Sequence, residues 1–507
     1  MLAKTISLGI QGIKAQIVEI EVDIIKGLPN FTIVGLPDST IKESKERIRS
    51  ALENSGFEFP PKNFVINLAP ADFKKQGNTF DLPIAMAILQ ATEQIFPLNE
   101  PLPIVGELAL DGRVRPIKGT IAMAITLYRQ GYSSIIVPFE NRYETSCLKE
   151  IKTYPVKNII EVLSVLAQKK SPYDKEKKAL SPSGPLGTLD FADLKGQETA
   201  KRATEIAVAG HHNILLYGSP GAGKTMLAKR IPSILPTLSR EKAIETTMIH
   251  SIEGLLPADK GLILNPPFRS PHHTSSDAAL VGGGKNPSVG EISLAHNGLL
   301  FLDEFIEFKN NVIQVLRQPL EDYEITISRA AGSFVFPADF MLVAASNPCP
   351  CGHLFDEDIP CSCSPLKIKK YFQKIAGPIL DRIDLEVLVS RLPYKELINE
   401  KKQESSKQIK ERVLKARLIQ QERFKESLTK YNSRMNLKEI KRFCSITNSS
   451  KKILELAIKK LNLTARTYFK ILKVSRTIAD LEGSQNIEKK HLLEALSYKN
   501  LYRNYEI

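Results

Sequence analysis

Eight consecutive residues have the types and spacing of a phosphate-binding loop. The preceding run, residues 213–217, is mostly apolar, and residues 226–230 have a helical pattern. In that setting glycines let backbone N–H groups converge on phosphate oxygens, a lysine reaches the β- and γ-phosphates and a hydroxyl binds Mg²⁺. A glycine-rich turn is the weaker alternative, so the pattern predicts ATP and Mg²⁺ as cofactors. The eight are Gly218, Ser219, Pro220, Gly221, Ala222, Gly223, Lys224 and Thr225.

Two later apolar runs end in polar side chains that suit ATP hydrolysis. Residues 299–302 are followed by Asp303 and Glu304, and residues 340–346 are followed by Asn347. After a phosphate-binding loop, the first acid is placed to hold Mg²⁺ and the second to activate the attacking water. Asn347 is suited to orienting that water. Together the three segments predict a hydrolysis site.

Four of the six cysteines form two close pairs. They are Cys349, Cys351, Cys361 and Cys363. Four thiolates suit tetrahedral Zn²⁺, although CxC spacing is less diagnostic than CxxC, and His353 offers an alternative ligand. The sequence therefore predicts a structural zinc site.

Several segments along the chain resemble one family. The shared segments are residues 27–37, 67–72, 80–83, 267–273, 290–298, 347–352 and 380–384. With the nucleotide motifs, they resemble the magnesium-chelatase-like branch of the AAA+ superfamily, and more narrowly the ComM/YifB family. This resemblance implies a hexameric ATPase ring acting on single-stranded or branched DNA. It also implies branch migration that helps imported DNA integrate during natural transformation, alongside recombination proteins. A chelatase-type motor, a protein-remodelling ATPase and a scaffold without turnover are the alternatives.

The resemblance extends to residues outside the three motifs. It implies adenine contact near Gln197, an arginine finger at Arg382 that acts on the neighbouring subunit, and nucleotide sensing at Arg466. It also places Lys285 and Arg329 in hairpins that face DNA. A helix cap at Gln197, an ion pair of Arg382 with a nearby aspartate and an exposed helical Arg466 are the alternative interpretations.

The fold class expected from the resemblance is α/β. A P-loop AAA+ core (191–390) is followed by a basic helical lid (391–507) and preceded, across a polar linker (169–190), by an α+β domain. That first domain (1–168) resembles the Lon protease domain, which has a fold like domain 2 of ribosomal protein S5. The nucleophile and base positions of a Lon-type dyad fall near Thr79 and Met123. Methionine cannot act as a base, so we expect a non-proteolytic domain.

The charge of the 507-residue chain is uneven. Residues 391–507 hold 28 Lys and Arg against 13 Asp and Glu, a net +15, whereas the first 390 residues carry −1. Such an excess favours polyanion binding, and a solvated lysine-rich surface is the alternative. The sequence has no signal-peptide pattern and no run of about 18 apolar residues, so we expect a cytoplasmic protein with no membrane partner.

Overall fold

The computed structural model describes residues 2–96, 102–173, 189–257, 261–283, 288–329, 332–356, 358–374, 379–393, 403–460 and 463–499. By contacts the chain forms two compact units. The first combines residues 1–181 with residues 240–263, and the second combines residues 182–239 with residues 264–507. Residues 240–263 fall inside the range predicted for the ATPase core, yet they group with the N-terminal unit.

The first unit is built on a four-stranded sheet with strand order β1-β2-β4-β3. Strands β2 and β4 alternate buried and more exposed residues, as expected of a sheet with one face on the core. The strands of the first unit are β1 (Ala3–Gln11), β2 (Lys14–Ile25), β3 (Asn30–Val34), β4 (Asn63–Ala69), β5 (Glu107–Leu108), β6 (Val114–Arg115), β7 (Ser134–Pro138) and β8 (Lys152–Val156). Its helices are α1 (Ser39–Lys42), α2 (Ser44–Asn54), α3 (Asp81–Ala91), α4 (Thr120–Arg129), α5 (Arg142–Thr145), α6 (Ile159–Leu166) and α9 (Arg240–Ile252).

Helix α9 is joined to the rest of the first unit by polar contacts. The Ser251 hydroxyl donates to Glu144, and the Gly119 amide donates to the Ser251 carbonyl oxygen at 3.2 Å. Arg240 lies 3.5 Å from Glu150. Ala243 and Ile249 of α9 are fully buried. The N-terminal unit therefore includes a helix that follows the phosphate-binding loop in sequence.

The second unit contains a parallel five-stranded sheet of order β10-β13-β16-β9-β17. Strands β9, β13 and β16 are buried at every position, which explains their continuous apolar runs. The strands of this unit are β9 (Ile214–Tyr217), β10 (Phe268–Arg269), β11 (Gly282–Gly283), β12 (Ser288–Val289), β13 (Leu299–Leu302), β14 (Glu324–Arg329), β15 (Gly332–Pro337), β16 (Met341–Ser346) and β17 (Leu385–Leu388). The expected α/β fold class is confirmed, and the structure shows that the sheet of this unit is parallel.

Helices surround that sheet and continue to the end of the described chain. They are α7 (Glu198–Gly210), α8 (Lys224–Ile234), α10 (Asp277–Val281), α11 (Glu291–Leu294), α12 (Asn310–Val315), α13 (Arg317–Asp322), α14 (Pro365–Gln373), α15 (Ser406–Arg423), α16 (Leu437–Phe443), α17 (Asn448–Lys460), α18 (Ala465–Leu481) and α19 (Lys489–Ser497). Apolar residues of α15 and α18 share one core with α7, α8 and the sheet. Among the described helices, none is both long and apolar enough to cross a membrane.

Candidate active site

The phosphate-binding loop connects β9 to α8. Gly221 and Gly223 have φ angles of +77° and +96°, which glycine adopts without steric strain. Gly223 directly precedes α8, so the loop delivers its backbone to a helix N-terminus. An N-terminus of this kind favours anions through free N–H groups and the helix dipole. The local geometry is therefore suited to phosphate.

Lys224 is buried and held by three oxygen atoms. Its ammonium donates to the carbonyl oxygens of Gly218 (2.6 Å) and Ser219 (3.1 Å) and to Oδ1 of Asn347 (3.1 Å). Burial lowers the pKa of Lys224 to about 8, against the opposing attraction of Asp303 and Glu304. Two of the segments predicted from the sequence, the phosphate-binding loop and the strand end at Asn347, therefore meet at the Lys224 ammonium.

A hydrogen bond between Thr225 and Asp303 joins the phosphate-binding loop to the end of β13. The Thr225 hydroxyl donates to Asp303 Oδ2 at 2.7 Å. Asp303 follows β13, Asn347 follows β16 and the loop follows β9, and these strands are parallel neighbours in the sheet. All three polar ends therefore lie at one edge. A hydroxyl beside a carboxylate offers the oxygen ligands that Mg²⁺ prefers, so Thr225 and Asp303 fit the predicted metal.

Glu304 has a partner that was not predicted from the sequence. Its backbone is left-handed (φ +51°), and its Oε2 lies 3.0 Å from Nδ1 of His273. The ring of His273 packs 4.2 Å from that of His272, and among the described residues no metal-binding set surrounds the two rings. His273 follows β10 and Glu304 follows β13, which are paired strands. If the pairing of β10 with β13 had been known from the sequence, His273 and Glu304 could have been predicted to lie close together.

Gln197 lies beside the phosphate-binding loop. Its side-chain amide donates to the carbonyl oxygens of Ala222 (3.3 Å) and Ser390. The residue precedes α7 with a left-handed backbone and makes no side-chain cap. Gln197 therefore links the loop to the chain leaving β17, and adenine contact stays a prediction.

Arg382 and Arg466 lie away from the loop end of the sheet. Strand β17 runs parallel to β9, with Leu388 opposite Tyr217 and Leu385 opposite Ile214. Since the loop follows Tyr217, Arg382 lies beyond the other end of these strands. Its guanidinium pairs with Glu321, and Arg466 lies 3.9 Å from Asp381.

One of the two predicted DNA contacts, Arg329, lies at the end of a hairpin strand. Strands β14 and β15 pair as far as Arg329 opposite Gly332. Strands β11 and β12 form a second, shorter hairpin. Lys285, between those two strands, falls outside the described residues. The structure thus supplies both hairpins, while the DNA contacts stay predictions.

The four clustered cysteines converge in space. Their sulfur atoms all lie within 4.8 Å of one another, and the spacings among Cys349, Cys351 and Cys361 are 3.3, 3.7 and 3.5 Å. Four sulfurs around a zinc ion at about 2.3 Å lie about 3.8 Å apart, so the cluster has the size of a tetrahedral site. The separations exceed the S–S bond length of about 2.05 Å.

Comparison with known proteins identifies the family. Residues 190–397 match the family "Magnesium chelatase, subunit ChlI", residues 20–141 match "Subunit ChlI of Mg-chelatase", and residues 403–499 match "Magnesium chelatase, subunit ChlI C-terminal". Competence protein ComM of Haemophilus influenzae is 45% identical over 97% of this chain and 96% of its own length. The chain belongs to the ComM/YifB family. It is a magnesium-chelatase-like AAA+ protein of that family.

Other relatives agree with this membership. YifB of Salmonella typhimurium and YifB of Escherichia coli are each 42% identical over 97% of this chain and 96% of their own length. The Lon protease of Brevibacillus choshinensis is 30% identical over 31% of this chain and 22% of its own length. In this ComM/YifB chain, Met123 stands at the position predicted for the base of a Lon-type dyad. Its side chain is fully buried in α4.

Proposed function

We propose that this ComM/YifB protein is a Mg²⁺-dependent ATPase. The observation that carries the proposal is the meeting of three sequence motifs through the Lys224–Asn347 and Thr225–Asp303 hydrogen bonds. Lys224 would neutralise the β- and γ-phosphates, and Thr225 with Asp303 would hold Mg²⁺. Glu304, directly after Asp303, would accept the proton of the attacking water. Mg²⁺ would supply charge neutralisation on the phosphate oxygens.

We further propose that this ATPase is a DNA motor. The similarity to Competence protein ComM along nearly all of both chains supports a branch-migration helicase that promotes integration of imported DNA during natural transformation. The two hairpins and the net +15 of residues 391–507 supply candidate DNA-facing parts. Phosphate contacts by Lys and Arg release counterions, so DNA affinity should fall steeply with salt and depend little on base sequence.

A ring assembly, proposed to be a hexamer, gives Arg382 a role. Arg382 lies beyond the end of β17 that is opposite the phosphate-binding loop of its own sheet. An arginine placed there lies at the opposite end of the strands from its own nucleotide site. In a ring, the same residue can reach the γ-phosphate held by a neighbouring copy. Arg466 would sense nucleotide from the start of α18.

ATPase turnover with different effectors tests the proposal. We would measure phosphate release with no DNA, with single strands, with duplex and with a branched junction, using Glu304→Gln as the inactive control. Stimulation by single-stranded or branched DNA is expected, with Arg329→Ala and Lys285→Ala reducing strand movement more than ATP binding. The match of residues 190–397 to a magnesium chelatase subunit makes a chelatase-type motor the second candidate. Stimulation by a porphyrin and its partner protein, with no response to DNA, would favour that alternative.

We also propose that the four cysteines bind a structural Zn²⁺. Their sulfur spacings fit the tetrahedral geometry that zinc prefers. Purified protein should contain about one zinc per chain, and Cys349→Ser combined with Cys361→Ser should release it, because two of four ligands are then lost. Reduced protein purified without chelator and found to contain no zinc would contradict this assignment.

A further inference from the structure

The β14–β15 hairpin, which carries the predicted DNA contact Arg329, is contacted at its base by Arg434. Nη2 of Arg434 donates to Oδ1 of Asp339 at 2.8 Å. The guanidinium carbon lies 3.5 Å from the centre of the Tyr323 ring, a distance at which an arginine stacks on an aromatic face. Tyr323 directly precedes β14, and Asp339 follows β15 by two residues. One side chain therefore contacts both ends of the hairpin.

The two contacted residues are held in place by the base of the hairpin and by the sheet. The Ala338 N–H donates to the Tyr323 carbonyl oxygen at 2.7 Å, which extends the strand pairing by one residue. Tyr323 has a φ of +61°, a conformation that bulky residues rarely adopt, so its surroundings must stabilise it. The Asp339 N–H donates to Nδ1 of His296 at 3.0 Å. Arg434 therefore lies between an anchored carboxylate and the ring that starts the hairpin.

The turn that carries Arg434 is attached to α18 by buried hydrogen bonds. Asn432, two residues before the arginine, is fully buried. Its side-chain amide donates to Thr477 Oγ1 at 3.1 Å and to Asp480 Oδ2 at 2.7 Å, and both acceptors belong to α18. Separating the turn from the helix would leave these buried polar groups without partners, so the two should move together. Arg466, the residue proposed to sense nucleotide, lies in the first turn of the same helix.

We infer that Arg434 is a positioning residue through which a nucleotide-dependent shift of α18 changes the orientation of the β14–β15 hairpin. This inference rests on the proposed ATPase and DNA-motor functions. A ligand can shift a second site only through contacts that differ between two conformations. The contacts of Arg434 with Asp339 and Tyr323 are of this kind, because they join the hairpin base to a turn that moves with α18. Arg434 acts through the hairpin in this scheme and touches neither nucleotide nor DNA.

Hydrogen exchange of the full chain, with and without a non-hydrolysable ATP analogue, tests this coupling. In wild type the analogue should change the exchange of the β14 and β15 amides. In Arg434→Met that response should be lost, while the analogue still protects the phosphate-binding loop. Arg434→Lys keeps a cation for Asp339 but lacks the planar group that stacks on Tyr323, so part of the response should remain. Arg442→Met is the matched control, since it removes one positive charge from an exposed arginine of α16 and should respond like wild type.

Strand movement provides the second measurement. Loss of a hydrogen bond to a charged group should reduce the DNA length moved per ATP hydrolysed by about tenfold in Arg434→Met, but not in Arg442→Met. Adding Asp339→Asn to Arg434→Met should cause little further loss, because both changes remove one contact. A wild-type hairpin response in Arg434→Met, or hairpin exchange in wild type that does not change when the analogue binds, would overturn the inference. If wild type bound no analogue, the ATPase proposal would fail instead. If it moved no DNA, the motor proposal would fail, and hydrogen exchange would still test the coupling.

Discussion

Arg382 offers the sharpest test of the proposed assembly. In the sheet, the phosphate-binding loop follows Tyr217, whereas Arg382 precedes Leu385, which lies opposite Ile214. At about 3.3 Å per residue the two strand ends are about 10 Å apart, before the two residues between Arg382 and Leu385 are added. The guanidinium pairs with Glu321 at this distant end. We therefore expect Arg382 to act on the nucleotide of a neighbouring copy.

Arg382→Ala should reduce turnover far more than stability. An arginine finger accelerates phosphoryl transfer by about 10³–10⁵. The Glu321 side chain is 49% exposed, but the Arg382 side chain is only 7% exposed, so its removal should lower the free energy of unfolding by about 0.5–3 kcal/mol. Phosphate release and thermal unfolding of the same preparation would separate the two effects.

Mixing two inactive chains gives a quantitative expectation. In an equal mixture of the two variants, the Arg382→Ala chain still has Lys224 and the Lys224→Ala chain still has Arg382. A working interface needs the nucleotide site of an Arg382→Ala chain beside the arginine of a Lys224→Ala chain. Random mixing provides this at about one interface in four, whatever the ring size, if the finger acts in trans. Turnover should then recover to about a quarter of the wild-type rate when interfaces work independently.

Mixtures of Arg382→Ala with the double variant Arg382→Ala/Lys224→Ala are the matched control. They contain intact phosphate-binding loops without any finger and should stay inactive. Two different affinity tags would show that both chains are present in one assembly. Mixed assemblies of the first kind that recovered no turnover would refute an arginine acting across the subunit boundary.

Two further predictions concern the hydrolysis site and the stability of the second unit. Glu304→Gln should keep ATP affinity, since Lys224 and Asp303 are untouched, yet lose most turnover; phosphate release close to wild type would show that Glu304 does not activate the water. Burial lowers the pKa of His211 to about 4, so protonation favours the unfolded chain between pH 6.5 and 4. Over that window the free energy of unfolding should fall by up to about 1.4 kcal/mol per pH unit. His211→Asn, which tolerates the left-handed backbone there, should show a smaller slope in urea titrations at pH 7, 6 and 5, and equal slopes would contradict this.

The sequence could predict the parts of the site that depend on strand ends. Apolar runs before Gly218, Asp303 and Asn347 indicated strands that end in polar residues. The structure shows that these strands are parallel neighbours, so their polar ends meet at one sheet edge. The four cysteines were found from spacing alone. These features are local patterns, and a shared edge is enough to bring them together.

Contacts that depend on loop packing could not be predicted. The His273–Glu304 contact joins residues from separate loops, and no periodicity or spacing relates them. The position of α9 was also missed, because its helical pattern reports a buried face without naming the partner that covers it. Arg382 was identified by resemblance, and the strand register then showed the end of the sheet at which it lies.

The inclusion of α9 in the first unit has a consequence for synthesis on the ribosome. Domains usually fold in order from the N-terminus, but this one lacks a buried helix until residues 240–263 have been made. At about 5–20 residues per second, roughly 5–20 s pass between residue 173 and residue 263. During that interval the surface that α9 later covers is exposed, and β9 and α8 are synthesised before the interval ends. Completion of the N-terminal unit is therefore coupled in time to the appearance of the phosphate-binding loop.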